Sequence, residues 1–506
     1  MQSAVVRSGS GAGDSPEPGV LARLSAGNAD ALLIYGGLAV PCMLFFAYVG
    51  NLPLGLAFTL VAVAVTPCFR SATSDSAHAT LACAIAAIVL TTLGGEGRLV
   101  AANFDWRIRD AVLHDLVAQP WPFVYRFEGR DWLLRAPLGM YLLPALAGKL
   151  VGQYGAMLML WLQNGVALFI VLRILTAAHS RRASLVVVTV FVAFSGWDVP
   201  GAMLTHRGGA IPADVGWWAG LFQYSSTVTL AYWAPNHAIG GWLVAALLLL
   251  WEQRRIGIGG LAIGVALAMS WSPFALIGAL PFLCQAGLSA LRARRVTRRE
   301  VACAAAVAAT LLPLVAYLGA DSLVLPHGFR TLTTTFVTIY IVFVGFELLP
   351  FVVLNHYVRT EGGFTRGTYR LAVVMLFLLP FYRLGPANEF VMRASVPALA
   401  IVAITTGHAL ARLIAGGRVV PMTLGVGAVA FGALTGLAQT ASVLRAANLG
   451  ISRCDVVQAW DQQAGSWAPK AQYFARLEQV PTLLRAPAPS VHSTGATTRL
   501  CSDWRL

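Results

Sequence analysis

A short polar segment near residue 105 carries side chains that could do acid–base chemistry. The segment reads Asn103-Phe104-Asp105-Trp106-Arg107-Ile108-Arg109-Asp110. A carboxylate such as Asp105 can accept the proton of an attacking hydroxyl group, or it can hold an acceptor or a metal ion. Asp110 is its nearest rival, and both Asp110 and Arg109 are candidate substrate-binding residues. The simpler interpretation is that Asn103 caps a helix and that Asp105 complements the helix dipole. Both interpretations stay open at this point.

The same segment predicts an amphipathic helix. Phe104, Ile108, Val112 and Leu116 are spaced four residues apart, so they share one face of a helix. A helix of this kind lies flat in the interface between lipid and water. Asp105 would then lie at the depth of the lipid headgroups, where a lipid phosphate is also found.

A second polar segment, 197–236, is rich in aromatic side chains. Trp217 and Tyr224 could belong to an interfacial belt of aromatic rings. They could equally line a sugar site, because a flat ring covers the apolar face of a pyranose. His237 follows Asn236 at the start of an apolar block, where it could donate a hydrogen bond to a substrate oxygen. We take Trp217, Tyr224 and His237 as candidate substrate-binding residues.

Basic side chains that could bind a phosphate form a third group. Arg383 and Arg393 flank a polar turn that also contains Asn388 and Glu389, and Lys149 lies in an apolar stretch. Arginine can bind phosphate through two parallel hydrogen bonds. An ionisable residue at membrane depth is a candidate for function. The alternative is that Glu389 only neutralises an arginine. All five residues are candidates for substrate binding.

The composition indicates that a membrane surrounds these groups. The chain has 506 residues, of which 57% are hydrophobic and 11% are charged, with a mean hydropathy of +0.69. A soluble domain carries roughly 25% charged residues. The apolar residues fall in blocks of about 15–22 without the alternation of barrel strands, and this length suits a helix that crosses a bilayer. We therefore predict an all-α polytopic membrane protein with about 13 transmembrane helices.

The placement of arginine predicts the orientation of these helices. The formal net charge is +14, and arginines concentrate in short loops, most clearly within 292–299. Such loops remain on the cytoplasmic side. This rule places the N-terminus in the cytoplasm and the C-terminus outside. No basic and aromatic soluble module is present in the sequence, which argues against nucleic acid as a partner.

The predicted organisation has three parts. They are a disordered cytoplasmic tail (1–30), a transmembrane domain (31–440, with outward loops 94–135 and 197–236) and an outward tail (441–506). The segment 136–152 is apolar but contains Pro144 and Lys149. We interpret it as a re-entrant or in-plane element, with a full span as the alternative.

Two of the seven cysteines, Cys454 and Cys501, fall in the outward tail. The compartment outside the membrane is usually oxidising. We therefore predict a disulfide between them, with two free thiols as the alternative.

This arrangement resembles the GT-C superfamily, integral-membrane glycosyltransferases that use sugars linked to lipid phosphates. In that superfamily the first large outward loop opens with an acid on an interfacial helix. An aromatic or second acidic residue follows, and then basic residues. Asp105-Trp106-Arg107 is similar to that pattern. The stretches 104–122, 216–242 and 383–400 also resemble a group of uncharacterised bacterial membrane proteins.

The resemblance implies that Asp105 is the catalytic residue and that the donor is a sugar on a polyprenyl phosphate within the bacterial inner membrane. The location supports this, because nucleotide sugars are absent outside the membrane. The resemblance fixes neither the sugar nor the acceptor, and it leaves open whether a divalent metal is used. The chain departs from the usual plan by two extra spans before the acidic loop and by its short tail. The alternatives are a transporter or flippase of lipid-linked glycans and a non-catalytic assembly protein.

Overall fold

The computed structural model describes most of the chain, with gaps. The described residues are 29–65, 77–177, 180–205, 215–358, 363–386, 389–446, 454–465, 469–485, 490–492 and 501. The predicted tail 1–30 lies almost entirely outside them.

Helices make up most of the described residues. The helices are α1 (Ala29–Tyr48), α2 (Leu52–Val65), α3 (Ala77–Leu93), α4 (Trp106–Ala118), α5 (Leu142–Leu175), α6 (Arg181–Ala193), α7 (Asp198–Thr205), α8 (Thr227–Trp233), α9 (Pro235–Glu252), α10 (Ile258–Leu267), α11 (Pro273–Arg292), α12 (Arg298–Gly319), α13 (Thr334–Glu347), α14 (Leu349–Val358), α15 (Arg366–Leu378), α16 (Glu389–Ala394), α17 (Val396–Ala415), α18 (Val419–Arg445) and α19 (Val456–Gln463). The strands are β1 (Val124–Phe127), β2 (Arg130–Leu134), β3 (His327–Phe329), β4 (Tyr382–Leu384), β5 (Phe474–Arg476) and β6 (Ser490–His492).

Six helical segments among the described residues are long and apolar enough to cross a membrane. They are α5, α6 with α7, α11, α12, α17 and α18. A seventh arises if α13 and α14 are counted as one bent span. The chain is therefore a helical membrane protein. The predicted number of about 13 spans is not confirmed, because α1, α2, α3 and α10 are apolar but short.

Helix α9 forms the centre of the bundle. Its residues from Pro235 to Leu250 are all buried, and it packs against α5, α11 and α17. A helix that is apolar all round suits the core of a large protein or a membrane span. Pro235 occupies the first turn, where its missing N–H leaves no intrahelical hydrogen bond unmade. The start of α9 is therefore held firmly, and the two polar residues that follow Pro235 are held with it.

Helices α11 and α12 are joined by the predicted cytoplasmic arginine turn. The turn includes Arg292, Arg294 and Arg295, and α12 begins with a capping box formed by Thr297 and Glu300. With 20 residues, α11 places its first turn about 30 Å from these arginines. Helix α11 packs on α9 and α16, whereas α12 packs on α10 and α2.

A small four-stranded sheet adds to the predicted all-α fold. The strand order is β5-β2-β1-β6, with β1 and β2 forming a hairpin within the first loop. β5 pairs antiparallel to β2, and β6 pairs parallel to β1. Arg476 of β5 also binds Asp321 at two points, with Nε–Oδ2 and Nη2–Oδ1 distances of 2.9 and 2.6 Å. The C-terminal segment is therefore folded onto the first loop.

The predicted outward loop 197–236 is only partly a loop. Helix α7 continues the direction of α6 closely enough that Arg181–Thr205 forms one candidate span, interrupted at 194–197. Much of the remainder is buried, including Trp218 and Tyr232. In the described part of this segment, short helical turns thus alternate with irregular chain.

The ambiguous segment 136–152 is helical from Leu142 onwards. Helix α5 is interrupted at Gly152, where φ is 83° and ψ is 177°. Leu150, Val151 and Tyr154 are exposed around this break. The break separates the short first part of α5 from the longer part that follows, so 136–152 is not a separate straight span.

Candidate functional site

A cavity of about 360 Å³ lies where α9, α11, α12, α16 and the C-terminal segment meet. Its polar lining includes Arg135, Tyr141, Asn236, His237, Glu389, Arg393, Gln472 and Tyr473. Its apolar lining includes Met269, Phe274, Leu276, Ile277, Val315 and Leu318. The cavity is at the end of α11 opposite the arginine turn. Of the predicted site residues, it brings together His237, Glu389 and Arg393.

The first turn of α9 supplies two of these polar groups. His237 Nδ1 lies 2.8 Å from Ser272 Oγ, and Asn236 Nδ2 donates to the carbonyl oxygen of Trp271 at 3.3 Å. Ser272 also caps α11, since its Oγ accepts from the Ala275 N–H. One serine thus fixes both the start of α11 and the orientation of the imidazole ring.

The short helix α16 supplies the two charged groups. Glu389 and Arg393 are one turn apart, so they lie on the same face. The Arg393 guanidinium lies 5.8 Å from the ring centre of Phe274. Its Nε atom is buried and has no hydrogen-bond partner among the described residues. Arg393 thus retains hydrogen-bonding capacity for an anion.

The C-terminal segment closes one wall of the cavity. Gln472 Nε2 donates to Glu389 Oε1 at 3.0 Å. The Arg135 backbone N–H donates to the Tyr473 carbonyl oxygen at 2.6 Å, and its side chain donates to those of Leu318 and Ala471. Burial lowers the pKa of the Arg135 guanidinium, although arginine stays charged. Arg135 therefore joins the first loop, α12 and the C-terminal segment.

Asp105 is not one of the lining residues of the cavity, but its carboxylate lies within electrostatic range of Tyr141, which is one. Its Oδ1 accepts from Gln463 Nε2 at 3.0 Å, and its Oδ2 lies 3.7 Å from Arg109 Nη2. The side chain is 35% exposed. Its backbone N–H donates to Asn103 Oδ1 at 3.0 Å, and its own side chain makes no capping hydrogen bond. The carboxylate is thus partly accessible to solvent.

Arg109 connects Asp105 with the cavity. Burial by itself lowers the pKa of the Arg109 guanidinium, but Asp105 and then Tyr141 and Tyr473 raise it overall. Both tyrosines line the cavity. Arg109 also donates to the carbonyl oxygen of Trp233. A change in the charge of Asp105 would therefore alter the electrostatic potential at the cavity wall.

Asp110 has a structural contact in place of the predicted contact with substrate. It is buried and forms an ion pair with Arg98, which also lies over the ring of Trp106 at 5.9 Å. Burial makes this pair costly to break, because removing one charge would strand the other. Asp110 therefore anchors α4 to the segment that precedes it.

Lys149 and Arg383 also lie elsewhere than predicted. Lys149 Nζ donates to the carbonyl oxygens of Val117 and Gln119 at 3.2 and 2.5 Å, so it caps the end of α4. Arg383 donates to two carbonyl oxygens of its own turn, those of Gly385 and Pro386, at 3.1 and 2.5 Å. Both cations satisfy backbone groups, which sequence patterns did not reveal.

The two aromatic candidates are not in the cavity either. Trp217 is exposed in the turn Val215–Trp217. Tyr224 is buried, and its hydroxyl donates to the carbonyl oxygen of Leu376. Asn388 lies outside the described residues. Arg135, Tyr141, Gln472 and Tyr473 were missed, although Arg135 at the end of a polar loop and before Pro137 was a visible signal.

A disulfide joins Cys454 to Cys501. Their Cα atoms are 5.6 Å apart, and their sequence separation is 47. Cys454 immediately precedes the capping box of α19, formed by Asp455 and Gln458. The Cys501 N–H donates to Gln462 Oε1 at 2.8 Å. The disulfide therefore secures the helix that carries the Asp105 partner.

Reducing this disulfide should loosen the C-terminal segment. The closed loop spans 47 positions, for which the chain-entropy model gives a stabilisation of about 4 kcal/mol. We expect Cys454→Ser to lower the free energy of unfolding of 454–485 by that amount, measured by hydrogen exchange. Cys284→Ser, which removes an exposed free thiol, is the control. Equal exchange rates in Cys454→Ser and the unmodified protein would contradict the expected role.

Metal binding has no obvious ligand set in the described part of the chain. Among those residues, no group of three or more histidine, cysteine, aspartate or glutamate side chains could hold a metal ion.

Two further cavities contain arginines but none of the predicted site residues. One, of about 530 Å³, is lined by Arg254, Arg255 and Arg295. The other, of about 590 Å³, is lined by Arg366 and Arg370. Both contain residues of the loops that the positive-inside rule places in the cytoplasm.

Comparisons with known proteins identify no relative. The chain matches no protein-family model, and neither the curated proteins nor the solved structures contain one that matches it.

Proposed function

We propose that the chain is a membrane glycosyltransferase of the GT-C type. It moves a hexosyl or pentosyl group from a polyprenyl-phosphate donor to an acceptor on the outer face of the membrane. The proposal includes the bacterial inner membrane as its location, about 13 spans and a cytoplasmic arginine turn between α11 and α12. The supporting observation is Arg393, whose buried Nε has no hydrogen-bond partner among the described residues, in a cavity with apolar walls.

The cavity suits an amphipathic lipid phosphate. Ile277 of α11 and Val315 of α12 line it and are also exposed at the surface of the helical bundle. In a bilayer that surface faces hydrocarbon, so an isoprenoid chain can lie there without entering water. Arg393 lies at the polar end, where its guanidinium can donate two parallel hydrogen bonds to a phosphate.

The proposed reaction needs a base and a cation. An acceptor hydroxyl oxygen attacks the anomeric carbon, its proton passes to a carboxylate, and the bond from that carbon to the phosphate oxygen breaks. The phosphate leaves with the electron pair, and Arg393 stabilises its charge. We do not assign the stabilisation of the phosphate to Lys149 or Arg383, because both donate to backbone carbonyl oxygens.

Two carboxylates compete for the role of base. Asp105 carries the superfamily resemblance, is partly exposed, and pairs with Arg109 within electrostatic range of the cavity tyrosines. Glu389 lines the cavity itself, one turn from Arg393. We assign the base to Asp105, because Glu389 beside the phosphate-binding arginine would be repelled by the departing phosphate.

A transfer assay tests the proposal. Proteoliposomes containing the full chain receive polyprenyl-phosphate sugars that carry a radiolabel in the sugar, hexosyl and pentosyl in turn. Extracted cell-envelope lipids and glycans supply the acceptor. We expect the label to move from the polyprenyl lipid to an acceptor fraction. Label that stays on the polyprenyl lipid in every combination would contradict a transferase.

A flippase of lipid-linked glycans is the second candidate function, and the interrupted spans favour it. Both Arg181–Thr205 and α13–α14 are broken along their length, as in many transporters. Sealed liposomes would distinguish the two functions. A flippase would expose the labelled lipid to a membrane-impermeant enzyme without moving the sugar to another molecule.

A further inference from the structure

Two carboxyl groups lie close together in the interior, away from the cavity. Asp198 begins α7 and is 0% exposed, and Glu347 ends α13 and is 2% exposed. The two carboxyl groups lie close enough to act on each other electrostatically, and a backbone hydrogen bond joins the residues that precede them, Trp197 and Phe346. Neither residue is used in the proposed transfer reaction.

One oxygen of each carboxyl group accepts hydrogen bonds, whereas the second oxygen of Glu347 has no donor among the described residues. Asp198 Oδ2 accepts from Ser195 Oγ at 2.6 Å and from Thr435 Oγ1 at 2.9 Å. Glu347 Oε1 accepts from Trp218 Nε1 at 2.9 Å. Glu347 Oε2 is buried and has no hydrogen-bond donor among the described residues. A proton on one of the two carboxyls would supply the missing donor.

The pair lies where two broken spans cross. Glu347 is at the 48° bend between α13 and α14, and Asp198 follows the interruption between α6 and α7. The Trp197 N–H donates to the Phe346 carbonyl oxygen at 3.1 Å, which joins the two breaks directly. By helix rise, Glu347 is about 20 Å from the start of α13 and about 14 Å from His356. Both carboxyls are therefore far from either membrane surface.

Among the described residues, no cation acts on the Glu347 carboxyl. The groups that act on its carboxyl are Asp198 and Trp218, and Tyr224 also lies within electrostatic range. The Tyr224 hydroxyl donates to the Leu376 carbonyl oxygen, away from the pair. Two neighbouring carboxylates at low dielectric repel each other strongly, so one of them stays protonated.

We propose that Asp198 and Glu347 share one proton and form a proton-binding site at the crossing of the two broken spans. The shared proton bonds α7 to the α13–α14 bend. Its loss places two negative charges side by side and pushes the broken spans apart. The site is independent of the proposed sugar transfer.

Infrared spectroscopy of the full chain in lipid tests for the proton directly. At pH 8 exposed carboxyls are ionised, so a protonated carboxyl stands out by its carbonyl stretch. We expect a band in the unmodified protein that the double variant Asp198→Asn/Glu347→Gln lacks. Glu478→Gln, which removes an exposed carboxyl, should leave the band unchanged. Identical spectra of the unmodified protein and the double variant would overturn the proposal.

The pH dependence of stability gives a second measurement. The folded protein would hold one proton that the unfolded chain releases above about pH 5, so stability falls as pH rises. Because the folded state holds one more proton than the unfolded chain, each unit rise in pH should raise the unfolding equilibrium constant about tenfold. We expect this slope to disappear in the double variant and to persist in Glu478→Gln. A slope unchanged in the double variant, or a stability that follows sodium concentration instead, would also overturn the shared proton.

Discussion

Replacing Asp105 with asparagine should lower sugar transfer by about 10²–10⁴-fold, the usual contribution of a general base. The protein should still fold and insert. The amide keeps the shape of the carboxylate and can still bond to Gln463. The lost contact with Arg109 is a partly exposed pair at 3.7 Å, and such pairs contribute about 0–1 kcal/mol. The radiolabel assay with proteoliposomes measures the rate, and a thermal unfolding scan checks the fold.

Two further variants, Asp131→Asn and Glu389→Gln, are needed to interpret the result. Asp131→Asn removes a carboxylate from the same loop, where it pairs with Arg126 on the hairpin, and should leave transfer unchanged. Asp110→Asn is unsuitable as a control, because it would strand the buried Arg98. If Asp105→Asn retains normal transfer while Glu389→Gln abolishes it, the base is Glu389 and the assignment to Asp105 is wrong.

The sequence was informative where a residue type and its local position determine what the residue does. His237 follows Pro235 at a helix start, and Glu389 and Arg393 are spaced by one turn of a helix. The sequence singled out each of these three residues, and the structure places them at one cavity. The apolar blocks likewise identified a helical membrane protein, because bilayer thickness sets their length.

The sequence was uninformative where distant segments meet. Gln472 and Tyr473 reach the cavity because β5 pairs with β2, and the register joins Trp132 to Arg476. A strand of three residues is too short to show an alternating pattern. Likewise, no local pattern shows that the amine of Lys149 binds carbonyl oxygens at the end of another helix.

The buried carboxyl pair lies between these two cases. Glu347 interrupts an apolar block, which is a visible sign of function. Asp198 lies in a segment that reads as a polar loop, so its proximity to Glu347 is apparent only in three dimensions. The partner of a charged residue within one span is supplied by the helix that crosses that span, and the sequence does not specify which helix crosses it.

Replacing Arg393 with glutamine should weaken the binding of a polyprenyl phosphate by roughly 10–150-fold. This range corresponds to the 1.5–3 kcal/mol of a hydrogen bond to a charged group. Glutamine retains a donor but loses the charge and the paired N–H groups that match phosphate oxygens. Binding can be measured by native mass spectrometry of the full chain titrated with a polyprenyl phosphate that carries no sugar.

Arg383→Gln is the matched control for this experiment. It removes the same charge ten positions earlier in the sequence, where the guanidinium donates to the carbonyl oxygens of Gly385 and Pro386. We expect the affinity of this variant for the lipid phosphate to stay within about twofold of the unmodified protein, because Arg383 does not line the cavity and its donors already bind backbone carbonyl oxygens. Arg393→Lys should lose part of the affinity, since it keeps the charge without the two parallel donors. Equal losses in Arg383→Gln and Arg393→Gln would mean that a diffuse positive field, and not a phosphate site at Arg393, attracts the lipid.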